Sequence, residues 1–126
     1  AKLALMGLGD QFDTEPAALS GGMRKRAAMA RALALDPPLL YLDEPSAGLD
    51  PLASAQVDEL VRRLRDEHGT TVVMVTHELH SIFEVADRLL FLDAEEKTMT
   101  ALDTPQALLE HGPDPVKRFL RRGRPA

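Results

Sequence analysis

With 126 residues, 44% hydrophobic and 28% charged, the chain suffices for one small domain with a real core, or for a piece of a larger one. No run approaches about 18 consecutive apolar residues, which excludes a membrane-spanning helix; the absence of cysteine excludes a disulfide framework or a Cys-based metal site and fits a reducing compartment. The net charge of −5 is uneven: residues 113–126 carry Lys117, Arg118, Arg121, Arg122 and Arg124 against Asp114 alone, leaving −9 on residues 1–112, which disfavours a broad nucleic-acid surface and makes the basic tail a solvated terminal helix before a membrane, nucleic-acid or acidic-partner contact.

In chain order, Ala1–Met6 reads as the end of a helix, and upstream sequence is expected to precede it. Residues 10–18 are irregular. Ser20 is placed to cap a helix running to about Leu35, which Pro37-Pro38 ends, since proline lacks the N–H and restricts its predecessor. Leu39–Leu42 is a continuous apolar run whose length predicts a strand buried on both faces. Asp50 caps the next helix with Pro51 at its first position. Ala53, Val57, Leu60, Val61 and Leu64 form its apolar face, and Gly69 stops it. Thr71–Val75 is a second buried strand, followed by a short helix from about Glu78 to Ala86 anchored by Ile82, Phe83 and Val85. Leu89–Leu92 is a third strand, and Lys97–Leu102 a hairpin return. Thr104-Pro105 opens one short helix and Pro115 the last, with Val116, Phe119 and Leu120 inward. Strands alternating with helices indicate an α/β fold with a mainly parallel sheet flanked by helices.

Three stretches carry chemistry. In Leu19-Ser20-Gly21-Gly22-Met23, two glycines after a capping serine leave backbone N–H groups bare at a helix N-terminus, a site for phosphate oxygens; an ordinary capped helix reads the same way. Asp43-Glu44-Pro45 closes an apolar strand, where ligands of open α/β sheets bind. There Asp43 suits Mg²⁺, held through water, and Glu44 suits proton abstraction from an attacking water; the plainer reading is a solvated turn. Thr76-His77 ends the next strand, where His77 could reach a γ-phosphate or that water, although a single histidine is more often structural or exposed. His68, His80 and His111 have no such placement and read as surface residues.

Taken in order, these stretches resemble the ATP-binding cassette (ABC) ATPases. Leu19–Met23 looks like the signature motif, Leu39–Asp43 like the Walker B strand, and Glu44 like the catalytic glutamate. Ser46-Ala47-Gly48-Leu49-Asp50 is similar to the D-loop, and His77 to the switch histidine. The motifs span residues 19–77, and the strand–helix rhythm continues to about Leu109. Met23 stands where glutamine is more usual, and Leu102-Asp103 where many members have a glycine before Thr-Pro. None of Lys2, Lys25, Lys97 and Lys117 follows a glycine, so the Gly-Lys-Ser/Thr phosphate loop is not in these residues; the resemblance puts it, with the Q-loop and the adenine-stacking aromatic, upstream.

The resemblance implies a partial P-loop NTPase core lacking the phosphate-loop strand. Residues 1–36 would be the end of the helical subdomain with the signature helix, 37–103 core strands and helices, and 104–126 C-terminal helices. It implies an ATPase, with ATP and Mg²⁺ as cofactors, that drives a membrane transporter. Ser20, Gly21 and Gly22 would serve ATP held by a second copy of the subunit, Asp43 and Glu44 would serve the subunit's own ATP, and Asp50 would lie at the dimer seam. Partners would be that second copy and integral-membrane permease subunits, with no direct nucleic acid. The location would be cytoplasmic, peripheral on the inner face of the membrane. Residues 22–26, 79–83 and 113–120 look like the ATPases of MCE-type phospholipid transporters. A soluble ABC protein acting on nucleic acid and a non-hydrolytic interaction module are the alternatives; the chain by itself is expected not to turn over ATP. The family's phosphate-loop strand would lie between Thr71–Val75 and Leu89–Leu92, so the chain is expected to close that slot, to swap strands, or to continue upstream.

Overall fold

The computed structural model describes residues 1–122. These divide into two compact units, Ala1–Thr76 and one beginning at His77. Arg124, counted above in the basic tail, and the end of the expected C-terminal segment lie outside the described residues.

The first unit runs α1 (Lys2–Leu5), α2 (Gly21–Ala32), β1 (Leu39–Asp43), α3 (Pro51–His68) and β2 (Thr71–Val75), with short 3-10 turns at Gly9–Gln11 and Pro16–Ala18. Two helices begin where capping chemistry predicts. Ser20 accepts a bond from the Met23 amide, and Asp50 accepts from Leu52 and Ala53, with Pro51 at the first position. Gly69 ends α3 at φ +64, a left-handed conformation that glycine adopts without a Cβ penalty. Helix α2 stops at Ala32, three residues short of the expected end. A tight turn intervenes: the Asp36 amide donates to Leu33 at 3.1 Å and Asp36 takes φ +50, so the chain reverses before Pro37 is reached. Lys2 pairs with Asp36 across this corner.

Strands β1 and β2 pair in parallel, Leu39 opposite Thr71 through Asp43 opposite Val75. Leu40 and Leu42 are buried, whereas Leu39, Tyr41, Val73 and Val75 are exposed, Tyr41 at 71%. The expectation of burial on both faces is therefore corrected. A continuous apolar run makes both faces suitable for burial, but the described residues of this unit cover one. The core comprises Leu40 and Leu42, the α3 stripe Val57, Leu60, Val61 and Leu64, and Met6, Leu8, Leu19, Met29, Ala30 and Leu33. Helix α3 packs on β2. Burying each Leu, Val or Met side chain among these contributes about 1.5–3 kcal/mol.

The second unit runs α4 (Leu79–Val85), β3 (Leu89–Asp93), β4 (Thr98–Asp103), α5 (Pro105–His111) and α6 (Asp114–Arg121). The hairpin return is antiparallel, with a register shift at Phe91/Leu92 that leaves Thr100 as the extra residue on β4. Its turn is held by Asp93, whose carboxylate accepts from the Glu95 and Glu96 amides. Strand β4 continues through Leu102-Asp103, and Thr104 caps α5 by accepting from Ala107. Ile82, Leu108, Leu109, Val116 and Leu120 form the core, with Leu89, Phe91, Ala101 and Phe119 packed on it. Phe91 and Phe119 meet edge to face at 5.6 Å. Leu90, Leu92, Met99 and Leu102 lie on the uncovered face. Gly112 is required sterically, because a Cβ there would fall 2.4 Å from the Leu108 carbonyl oxygen. Among the described residues β2 pairs with β1 and β3 with β4.

Candidate functional site

The site is built at the N-terminal end of α2. Ser20 is exposed, and its Oγ accepts from the Met23 amide at 3.2 Å. The first-turn amides of Gly21 and Gly22 have no intrahelical partner by the geometry of a helix start. No acidic side chain lies in this turn, so the positive end of the helix dipole is not neutralised locally. Gly21 does not have a positive φ, and a Cβ on it would meet nothing within 4 Å. Neither backbone conformation nor packing within the unit therefore calls for glycine there, although glycine costs about 0.5–1 kcal/mol relative to alanine inside a helix. A glycine kept beside open space at a helix N-terminus suits close approach by an external phosphate.

The other face of this helix end meets the loop after β1. A Cβ on Gly22 would lie 3.8 Å from both the Leu49 Cδ2 and the Ala53 Cβ. The start of α2, the loop 44–50 and the first turn of α3 thus come together within one unit. Asp43 ends β1, exposed and on the same face as Leu39 and Tyr41. Its single exposed carboxylate fits a Mg²⁺ that keeps most of its waters. Glu44, half-buried, takes φ +46. Outside glycine that left-handed conformation costs about 1–2 kcal/mol and persists where surrounding contacts fix it. They do so here: the Glu44 amide donates to Val75 at 2.8 Å, extending the β1–β2 ladder, and its carbonyl accepts from the Ala47 amide at 3.2 Å.

Gly48 takes φ +75 and gives the loop its reversal. Ser46 is buried, the Leu49 amide donates to Ser46 at 3.1 Å, and Asp50 then caps α3. Ser20, Gly21, Gly22, Asp43, Glu44 and Asp50 all lie in the first unit. His77, exposed, lies in the second. His68, His80 and His111 are exposed, as expected.

The three cations Arg24, Lys25 and Arg26 were not assigned roles by sequence reasoning, and together they tie α2 to four backbone carbonyls. Arg24 donates to Leu19 at 2.9 Å, Lys25 to Glu44 at 3.2 Å and Ala47 at 2.5 Å, and Arg26 to Met6 at 3.4 Å. Three consecutive cations on a helix resemble a solvated face. The one available signal was their position beside the two glycines, where side chains of this length reach neighbouring loops.

Comparison with known proteins shows what the chain as a whole is similar to. A family model described as "AAA domain, putative AbiEii toxin, Type IV TA system" matches residues 3–82. The aliphatic sulfonates import ATP-binding protein SsuB of Pseudomonas fluorescens (strain Pf0-1) is 42% identical over 106 residues, covering 84% of this chain and 38% of that protein. The probable ribonucleotide transport ATP-binding protein mkl of Mycobacterium tuberculosis (strain ATCC 25618 / H37Rv) is 38% identical over 123 residues, covering 98% of this chain and 33% of the relative. Among solved structures, the ATP-binding cassette MJ0796, a dimer in a post-hydrolysis state bound to ADP and Pi, superposes with a TM-score of 0.69. Its identity is 32%, over 82% of this chain and 44% of its own. The chain, which spans about a third of the length of these curated relatives, belongs to the family of ABC transporter ATPases.

Proposed function

We propose that the whole protein is the ATP-binding and hydrolysing subunit of an ABC transporter, and that these residues supply its signature helix, its metal-bearing strand end and its general base. The observation that carries the reading is that one unit holds both an open, glycine-lined helix N-terminus and an apolar strand ending in Asp43-Glu44, the two kinds of part such a site needs. A helix end of this kind receives phosphate oxygens, and a carboxylate at the adjacent strand end receives a water proton. Positioning and charge stabilisation provide most of the catalysis in phosphoryl transfer.

In this reading Ser20, Gly21 and Gly22 face the nucleotide of a second copy, and Asp50 lies near the seam between copies. Asp43 holds Mg²⁺ through water, Glu44 takes the proton of the attacking water, and His77 acts on the γ-phosphate or that water. Mg²⁺, when bound, neutralises charge on the phosphate oxygens. No helix of the described residues is long and apolar enough to cross a membrane. The likeness to import and transport ATP-binding proteins supports a place on the inner face of the membrane, docked on permease subunits, with ATP as the energy source. The names of the relatives supply the comparison: one imports sulfonates and another is a probable ribonucleotide transporter subunit. Phospholipid transport is the narrower reading, resting on the likeness of residues 22–26, 79–83 and 113–120 to MCE-type ATPases.

The test is Glu44→Gln in the full-length protein. Hydrolysis should fall by about two to four orders of magnitude with ATP binding retained. Near-normal phosphate release from that variant would remove Glu44 as the base and make His77 the next candidate.

A further inference from the structure

Lys25 lies on α2 about one turn beyond the glycines, and the reading above gives it no part. Its half-buried ammonium spans the loop that carries the candidate base. It donates to the carbonyl of Glu44 at 3.2 Å and to that of Ala47 at 2.5 Å. Those two carbonyls bracket the turn that follows β1, and the Ala47 amide also donates to the Glu44 carbonyl. Both lone-pair positions of that carbonyl are therefore engaged, one by a cation. Glu44 itself is in the left-handed region, at φ +46. A residue held there keeps its conformation through its surroundings, and Lys25 is a contact that reaches it from a separate helix. Bonds from a charged donor are about twice as strong as neutral ones.

We infer that Lys25 is a positioning residue for ATP hydrolysis: it locks the backbone of Glu44 and the 44–47 turn, so that the Glu44 carboxylate is presented to the attacking water in one orientation. The inference rests on the reading of Glu44 as the base. Because Lys25 and the phosphate-facing glycines share one rigid helix, it also makes the aim of Glu44 depend on where α2 sits. Displacement of a reacting group by about 1 Å can cost about a hundredfold in rate.

The experiment uses the full-length protein with Lys25→Met, which keeps the stem and removes the charge, and Lys25→Arg, which restores a cation. Hydrogen exchange is followed at the amides of residues 46–49, together with kcat and KM for Mg-ATP and the thermal midpoint. Lys25→Met should speed exchange at Ala47 by about tenfold, with the α2 amides of residues 27–31 unaffected. It should lower kcat by about ten- to a hundredfold at a KM within about twofold of wild type, and Lys25→Arg should recover much of both. In a Glu44→Gln background, Lys25→Met should cause no further loss.

Unchanged exchange at Ala47 overturns the lock. Faster exchange with unchanged kcat overturns the positioning role. An equal fractional loss in the Glu44→Gln background shows that Lys25 acts independently of Glu44, as does a loss that tracks only the thermal midpoint. If Glu44→Gln alone leaves turnover intact, the base assignment fails instead, and the exchange result still decides whether Lys25 holds the turn.

Discussion

Helices α2 and α3 both begin within the first unit, and their starts are treated oppositely. At α3 the cap is a carboxylate: Asp50 accepts from two amides, and proline occupies the first position. At α2 the cap is a neutral hydroxyl that accepts from one amide, two glycines follow, and the first turn holds no acid. The dipoles of the two helices have the same physical origin. One end is neutralised by its own side chain and sealed; the other is left electropositive and open. Stability alone would favour the first solution at both places, since Asp and Ser cap about equally well and an anion adds about 0.3–1 kcal/mol near the dipole. The departure at α2 is what the role proposed for Ser20, Gly21 and Gly22, receiving an outside phosphate, calls for.

The largest effect should come from filling the open end. In the full-length protein, Ser20→Arg should abolish ATP-driven dimerisation at nucleotide concentrations that drive it in wild type, measured by light scattering. Mixed dimers with one such subunit should lose the site facing the altered helix. Normal dimerisation would show that Ser20 is not a nucleotide contact. A sharper test converts α2 into a copy of α3. Ser20→Asp should keep or raise stability by about 0.3–1 kcal/mol, because the helix gains an anionic cap. It should weaken ATP-driven dimerisation by about tenfold or more, through repulsion of phosphate. If both quantities moved together, the two helix ends would differ in degree alone. The smallest effect is expected at the sealed end, where Asp50→Ala should cost about 0.5–2 kcal/mol in urea unfolding by leaving the Leu52 and Ala53 amides uncapped. A loss below that range would mean that Pro51 alone suffices to start α3.

Much of this was legible in the sequence because local signals decide it. Ser20, Asp50, Pro51, Gly69 and Thr104 each act within four residues, and the strands and the hairpin return fall where the apolar runs place them. What was not legible is tertiary or conformational. Apolarity at Tyr41, Val73 and Val75 says that a face can be buried, not what lies on it. The contacts of Lys25 cross 19 and 22 residues of sequence. The positive φ of Glu44 has no compositional cue, because glutamate is not a residue that favours that region. His77 was grouped with the other residues by its order in the motifs, and order does not fix geometry.

The alternation along β1 has a consequence for how such a sequence can change over generations. Leu40 and Leu42 face the core while Asp43 ends the opposite row. A strand repeats every two residues, so one residue inserted between Leu39 and Leu40 would exchange the two rows that follow it. Asp43 would turn inward, Glu44 would lose its place beside Val75, and the leucines would face water. A residue inserted in the 94–97 turn would lengthen a loop at a cost of a few tenths of a kcal/mol. Length variation is thus costly at 39–43 and cheap at 94–97, so the spacing from Leu39 to Asp43 tolerates less change than the length of that turn.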